Sequence, residues 1–373
     1  MMKARARPPL AAGLAAGVAL DALLGDPRRY HPVAAFGRAA AALEARDYAD
    51  SRLRGAAHAA ACVLAAAAPA AFLARRARGR PLSQAAAAAL AVWAVTGARS
   101  LHDEAERANV ALAGHDLAAA RRVLPSLCGR DPAGLDATEL TRAVIESVAE
   151  NTCDAVVAPL LWGAVGGLPG LAAYRAVNTL DAMVGYRSPR YLRFGWASAR
   201  LDDAANWIPA RVTAALTVAC AAVVPLPGTS AQSPSAGGRF AAGPAAAALR
   251  AVLRDGPRHP SPNAGRCEAA FAGALGLRLG GTNVYGGVTE VRAELGEGRA
   301  PEPDDIRRAV RLSRAVTVAA TGLAVLIALF PPGPLGAADE EADEPDDERR
   351  DGDPPQDVQG ESGPGDDQDD EQG

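Results

Sequence analysis

The feature that most constrains this chain is a series of apolar stretches close to bilayer length. They cover residues 10–24 (interrupted only by Asp21), 56–74 (with His58 and Pro69), 84–98, 155–177 (broken by Gly166, Gly167 and Pro169), 208–226 and 315–329. A helix crossing the hydrocarbon core needs about 20 mostly apolar residues, fewer where flanking arginines snorkel. One or two such runs occur in soluble helical proteins. A series this long predicts an all-α polytopic membrane helical bundle of about 4–6 spans, with amphipathic helices on the cytoplasmic side. Lys3, Arg5 and Arg7 before the first run resemble the start of a secretory signal. No A-x-A site precedes Gly25-Asp26-Pro27, so the run is expected to stay in the fold. Orientation is open. Arg75, Arg76, Arg78 and Arg80 mark a cytoplasmic loop, but residues 99–150 also carry arginines, and a simple hairpin would place them opposite.

Charge is distributed unevenly. The net charge is −4 over 373 residues. Residues 337–373 hold 17 acidic and 2 basic side chains, or −15, against 37 basic and 26 acidic, or +11, in the remainder. That tail contains no aromatic residue and only Val358 as a sizeable aliphatic, so it is expected to be disordered. The domain reading is residues 1–336 as one membrane domain, with a flexible Ser-, Gly-, Pro- and Ala-rich linker at 229–248, then the tail at 337–373. Lys3 is the only lysine, which excludes a Walker-type phosphate loop and Schiff-base chemistry inside the fold. Five cysteines without a C-x-x-C pair argue for reduced thiols rather than a disulfide framework or zinc site.

Polar helices are expected between the spans. Residues 101–124 have helical spacing. Asp136 and Glu139 have the spacing of a capping box. Residues 301–314 form a basic helix with Asp304 and Asp305 at its start.

Five polar clusters interrupt this apolar chain. The first is Gly25-Asp26-Pro27-Arg28-Arg29-Tyr30-His31-Pro32-Val33, a loop held between prolines. In the second, Glu146, Glu150 and Asp154 recur every four residues, which puts three carboxylates on one face if the helix continues. Like charges so spaced repel, and a bound cation such as Mg²⁺ would relieve them; a solvated acidic face is the simpler reading. The third runs from Tyr174 to Asp181 and on to Arg187, with Asn178 and Asp181 on one face. The fourth is Arg200-Leu201-Asp202-Asp203-Ala204-Ala205-Asn206-Trp207-Ile208-Pro209. Either of these two could equally be a helix end at the membrane boundary. The fifth runs from Arg258 through Pro260-Ser261-Pro262-Asn263-Ala264-Gly265 to Glu268. Free backbone N–H groups from Asn263 to Arg266 could hold a phosphate there, or the turn could only cap a helix beginning near Glu268. A glycine-rich stretch with Asn283 and Tyr285 follows; no strand pattern precedes it, so a dinucleotide fold is not indicated. Polar residues at membrane depth are functional candidates by default.

Taken in order, Gly25-Asp26-Pro27 with His31-Pro32-Val33, Glu146-Ser147-Val148-Ala149-Glu150-Asn151, Val177-Asn178-Thr179-Leu180-Asp181, Arg200-Leu201-Asp202-Asp203 with Asn206-Trp207-Ile208-Pro209, and Pro260-Ser261-Pro262-Asn263-Ala264-Gly265 resemble the adenosylcobinamide-phosphate synthase family, the CobD/CbiB cobalamin biosynthesis membrane proteins. The resemblance spans about residues 20–288 and includes neither the linker nor the tail.

The resemblance implies a multi-pass cell-membrane enzyme with its active site facing the cytoplasm. It would join a propionate carboxyl of (adenosyl)cobyric acid to aminopropanol or its O-phosphate, giving (adenosyl)cobinamide or its phosphate in an ATP-dependent amide synthesis. ATP and Mg²⁺ are then cosubstrate and metal, and the corrinoid is substrate; no tightly bound cofactor is expected. The partners are these small molecules and the lipid bilayer, with other late cobalamin-assembly enzymes as further candidates and no nucleic acid. The candidate catalytic residues are Asp26, His31, Glu146, Glu150, Asn178, Asp181 and Asp202. Glu146, Glu150 and Asp154 are assigned to the metal, with Asp181 and Asp202 in reserve, and Asp26 or His31 to the base. Arg187, Asn206, Ser261, Asn263, Glu268 and Asn283 are assigned to substrate or phosphate. The alternative is a non-catalytic membrane sensor on the same scaffold, which need not keep the carboxylate set. A transporter would show two matching halves, and none is visible.

Overall fold

The computed structural model describes residues 6–26, 31–226, 243–285 and 288–331, without the side chains of 284, 285, 288 and 289. Contacts divide the chain into Met1–Pro332 and Gly333–Gly373, and the second unit lies outside the described residues. So do residues 227–242 and hence most of the expected linker.

The described chain is mostly helical. In order it forms α1 (Pro8–Leu24), α2 (Pro32–Asp47), α3 (Arg52–Arg76), α4 (Pro81–Val95), α5 (Ala98–Ala113), α6 (Leu117–Val123), α7 (Ala137–Thr152), α8 (Ala158–Val184), α9 (Tyr191–Phe194), α10 (Trp196–Ala205), α11 (Trp207–Val223), α12 (Pro244–Arg254) and α13 (Ala264–Leu275). A hairpin of β1 (Leu279–Tyr285) and β2 (Val288–Leu295) precedes α14 (Asp304–Leu329). Prolines open α1, α2, α4 and α12, where a missing N–H costs nothing and φ is already helical. The capping box at Asp136 and Glu139 is present and starts α7.

Four stretches, Arg52–Arg76, Pro81–Ala113, Ala137–Val184 and Asp304–Leu329, are long and apolar enough to cross a membrane. A fifth arises if α10 and α11, bent by 42° about Asn206, count as one. Leu53, Leu64, Phe72, Leu82 and Leu90 on α3 and α4 are exposed, as lipid-facing side chains would be. This is an all-α architecture of the membrane-spanning type.

Four local expectations change. Residues 244–248, placed in the linker, begin α12. The basic segment from residue 301 and the apolar run 315–329 form one helix, α14, because no breaker separates them. The turn at 260–265 leads into a helix at Ala264 rather than near Glu268. The glycine-rich stretch contains a strand: Gly280 and Gly281 take φ of +80° and +88°, which L side chains rarely adopt, at an irregularity in the β1–β2 register.

Close helix packing relies on small residues. On α1, Gly13 and Gly17 are four apart and face α4. A Cβ on Gly13 would lie 2.5 Å from the Ala88 Cβ, and one on Gly17 would lie 2.7 Å from the Ala89 carbonyl oxygen. This small-xxx-small contact lets two backbones approach without a hydrophobic drive between them. Asp21 is buried on α1, and its Oδ2 accepts the Arg99 N–H at the start of α5 (3.2 Å). The lone acid in the first apolar run is thus a cap for another helix, and α1 belongs to the body of the fold.

Candidate active site

The site depends on a reversal inside α8. Gly167 has φ +63° and ψ −154°, a non-helical conformation that glycine tolerates, and Pro169 follows two residues later. A straight helix would hold residues 154 and 178 about 36 Å apart. Instead the Asn178 Nδ2 donates to the Asp154 Oδ2 at 3.3 Å, and a Cβ on Gly170 would lie 2.5 Å from the Trp162 carbonyl oxygen. Both pairs are centred on residue 166, so the two halves of α8 run back to back as a hairpin.

Just before this hairpin the backbone widens into a π turn at Cys153–Val157. A π turn inserts a residue into the helical count and often marks a functional site. Glu150 and Asp154 still share one cleft, but Glu146 is bonded elsewhere, so the three-carboxylate face expected from the spacing does not form.

A polar network joins the hairpin to α10. The Asn178 Nδ2 lies 3.3 Å from both the Asp154 Oδ2 and the Asp202 Oδ1, while its Oδ1 accepts from the Arg175 Nη1 (3.2 Å). The Asp202 Oδ2 accepts from the Asn206 Nδ2 (3.1 Å), and the Asn206 Oδ1 accepts from the Tyr174 hydroxyl (2.9 Å). Asn206 stands at the elbow between α10 and α11, and the bend directs its amide inward. The Asn263 Nδ2 adds a bond to the Asp203 carbonyl oxygen (2.8 Å), which brings the fifth cluster against the fourth.

These residues form a small, partly open cleft lined by Glu150, Cys153, Asp154, Asp202, Asn206, Ala210, Ser261, Asn263, Ala264 and Cys267. The second, fourth and fifth clusters therefore meet in one place, and Asn178 of the third is hydrogen-bonded to it. Asp181 lies near enough to Asp202, Asp203 and Glu150 to feel their charge. It folds over Gly185, where a Cβ would collide with its carboxylate.

Other assigned residues lie elsewhere. Glu146 is occupied: its Oε2 accepts from the Arg130 Nη2 (2.5 Å) and its Oε1 from the Gly280 N–H (2.7 Å). It pins the hairpin to α7 and does not join Glu150 and Asp154 as a metal ligand. Among the described residues no group of three His, Cys, Asp or Glu side chains is arranged to hold a metal ion. His31 is the N-cap of α2, its Nδ1 accepting from the Val33 N–H (3.2 Å). Asp26 sits by Gly97, and neither it nor His31 lines the cleft. Arg187 is exposed near Asp203. Asn283 is buried on β1 with neither amide atom hydrogen-bonded.

The Ser-Pro-Asn-Ala-Gly turn differs from expectation. Its N–H groups are largely consumed within the turn. The Ser261 Oγ accepts from the Asn263 N–H (3.3 Å) and the Ala264 N–H (3.1 Å), and the Arg266 N–H donates to the Asn263 carbonyl oxygen (3.0 Å). Gly265 is needed for packing, because a Cβ there would lie 2.7 Å from the His259 Cγ. Glu268 lies behind the turn, 3.9 Å from the His259 Nε2. Burial, reinforced by the charges of Glu146 and Glu150, pushes its carboxyl well above the usual carboxylate range. Burial likewise lowers the His259 pKa, and the nearby Arg292 charge lowers it further.

Sequence reasoning left Tyr174, Cys153 and Cys267 out of the site. Tyr174 could have been found, since it stands one helical turn before Asn178. The cysteines carried no such signal, and both are free thiols.

The comparisons agree with this geometry. The family model described as "CobD/Cbib protein" matches residues 14–313, a range that contains every element of the cleft. The chain is 52% identical over 317 residues to "Cobalamin biosynthesis protein CobD" of Mycobacterium tuberculosis strain H37Rv, covering 85% of this chain and 95% of that one. It is 45% identical over 289 residues to the protein of the same name from Geobacter metallireducens, covering 76% and 86%. No solved structure matches it. A helical protein of the membrane-spanning type, with four of its five polar clusters brought together at a hairpin in α8, this chain belongs to the CobD/CbiB family of cobalamin biosynthesis proteins.

Proposed function

We propose that this protein is an ATP-dependent amide ligase of cobalamin biosynthesis. It attaches aminopropanol, or its O-phosphate, to a propionate carboxyl of (adenosyl)cobyric acid. A carboxylate does not react with an amine directly. In the proposed route its oxygen attacks the γ-phosphorus of ATP and ADP departs. The amine nitrogen then attacks the acyl carbon, phosphate leaves, and the nitrogen gives up its extra proton to a base. The observation carrying this reading is the set Glu150, Asp154 and Asp202 around one cleft, with Asp154 and Asp202 bridged by Asn178 and Asp202 also held by Asn206. Carboxylates gathered around one cleft repel one another, a cost that a cationic or proton-transferring task would explain and that a passive sensor has no need of.

Mg²⁺ enters this reading only with the phosphates of ATP. The three residues assigned to it do not converge, since Glu146 is bonded to Arg130 and Gly280, so no step is assigned to a protein-held metal. The proposed location is the cell membrane, with the cleft open to the cytoplasm, where ATP and the corrinoid are found. The test supplies detergent-solubilised protein with cobyric acid, ATP, Mg²⁺ and either amine. Formation of the amide with release of ADP is expected. A complete mixture that yields no amide with either amine would refute the ligase assignment.

A further inference from the structure

We infer that the cleft between Glu150, Asp202 and Asn263 is a subsite for a primary ammonium group, and that phosphates bind elsewhere. Naming the ligand as the amine substrate rests on the ligase reading; the charge class does not.

The charged side chains lining the cleft have one sign, although Arg292 and Arg175 lie near enough to Glu150 and Asp154 to act on them from outside the lining. Among the described residues that form it are three carboxylates, and none is Arg, Lys or His. Such a wall repels a phosphate and attracts a cation. The turn that could have offered N–H groups to an anion has spent those of Asn263, Ala264 and Arg266 on Ser261 and on itself.

A second observation points the same way. Asn263 is 7% exposed, and its Nδ2 is committed to the Asp203 carbonyl oxygen. Its Oδ1, an acceptor, is buried in the lining with no partner. An unpaired buried acceptor is costly to leave. It calls for a hydrogen-bond donor in the cleft, which a phosphate oxygen is not. The Asn263 side chain makes no cap bond to α13, so its placement is not explained as a helix cap.

An ammonium fits better than a metal ion. It carries three N–H donors that reach acceptors at about 2.8 Å, whereas Mg²⁺ demands oxygens at about 2.1 Å in near-octahedral order. Asn178 places amide hydrogens between Asp154 and Asp202, where a bridging metal would have to sit. Asp202, Glu150 and the Asn263 Oδ1 remain as a wider ring of acceptors. In the proposed reaction the same carboxylates would take the proton that the ammonium must lose before attack.

The test is calorimetric titration of the full-length protein in detergent, without ATP, using 1-amino-2-propanol and the neutral isostere 1,2-propanediol. Both are repeated with cobyric acid present and with Mg²⁺ added. The amine is expected to bind, the diol not, and millimolar Mg²⁺ not to compete. Asn263→Ala and Glu150→Gln should each weaken the amine about tenfold or more, as expected for a lost hydrogen bond to a charged group. Glu150→Gln guards against misfolding, since it is nearly isosteric and Glu150 is exposed. Equal binding of the diol, displacement by Mg²⁺, unchanged affinity in Glu150→Gln and a thermally intact Asn263→Ala, or no amine binding with and without cobyric acid would each overturn the subsite. Amine binding that depends on these residues, in a protein forming no amide under the complete assay, would keep the subsite and remove the ligase reading.

Discussion

Glu146 and Glu150 lie one turn apart on α7, yet removing them should have opposite consequences. Glu146 is 4% exposed and receives two donors, the Arg130 Nη2 (2.5 Å) and the Gly280 N–H (2.7 Å), with the Arg142 Nη1 as a more distant ion-pair partner (4.0 Å). Removing one partner of a buried ion pair costs about 3–5 kcal/mol, because the other charge stays desolvated. The unpaired Gly280 N–H adds about 1–3 kcal/mol, not fully additive with the first. Glu146→Ala should therefore lower the thermal midpoint by several degrees, at about 2 °C or less per kcal/mol for a chain of this size. Glu150→Ala, at an exposed position, should melt within a degree or two of the wild type while losing amide formation. The assay is a melt monitored by size-exclusion chromatography in detergent, paired with turnover on the same preparations. A Glu146→Ala protein of wild-type stability that is inactive would place Glu146 in the chemistry and refute its role as the anchor of the hairpin.

Three further outcomes are expected. Gly17→Ala should destabilise the protein by about 1–3 kcal/mol through overpacking against α4, whereas Gly322→Ala, with nothing within 4 Å of the added Cβ, should be neutral or slightly stabilising; equal melts for the two would refute the close α1–α4 contact. Hydrogen bonds from the neighbouring Arg254 side chain hold the Asp255 carboxyl below the usual range, so its contribution to stability is present above the unfolded pKa near 3.9 and is lost as pH falls through the lower folded value. Asp255→Asn should flatten the acid limb of a stability–pH curve, and an unchanged limb would show that Asp255 does not contribute. Truncation after Gly336 should leave turnover within about twofold, given the tail's composition; a tenfold loss would mean that the tail acts on the rest of the chain.

Much of this molecule could be read from the order of its residues. Apolar runs and the Asp136–Glu139 box are local signals with local causes, so the helices read from them, such as α1 and α7, formed where they were expected. The five polar motifs, in order, also sufficed to indicate the family. Periodicity misled where a tertiary partner competed for a side chain. The spacing of Glu146, Glu150 and Asp154 implies one shared face, and Glu150 and Asp154 do share the cleft, but Glu146 is drawn away from it. Glu146 then found its partners 16 and 134 residues away, at Arg130 and Gly280, beyond the reach of any helical pattern. Asn178 reaches Asp154 because one glycine at φ +63° folds α8 back on itself. Tyr174, Asn206 and Asn263 acquire their places only through that reversal and the bend at Asn206. Local sequence selected the elements, while the convergence of charge on one cleft was decided by two sharp changes of direction and by which buried polar atoms could find partners across them.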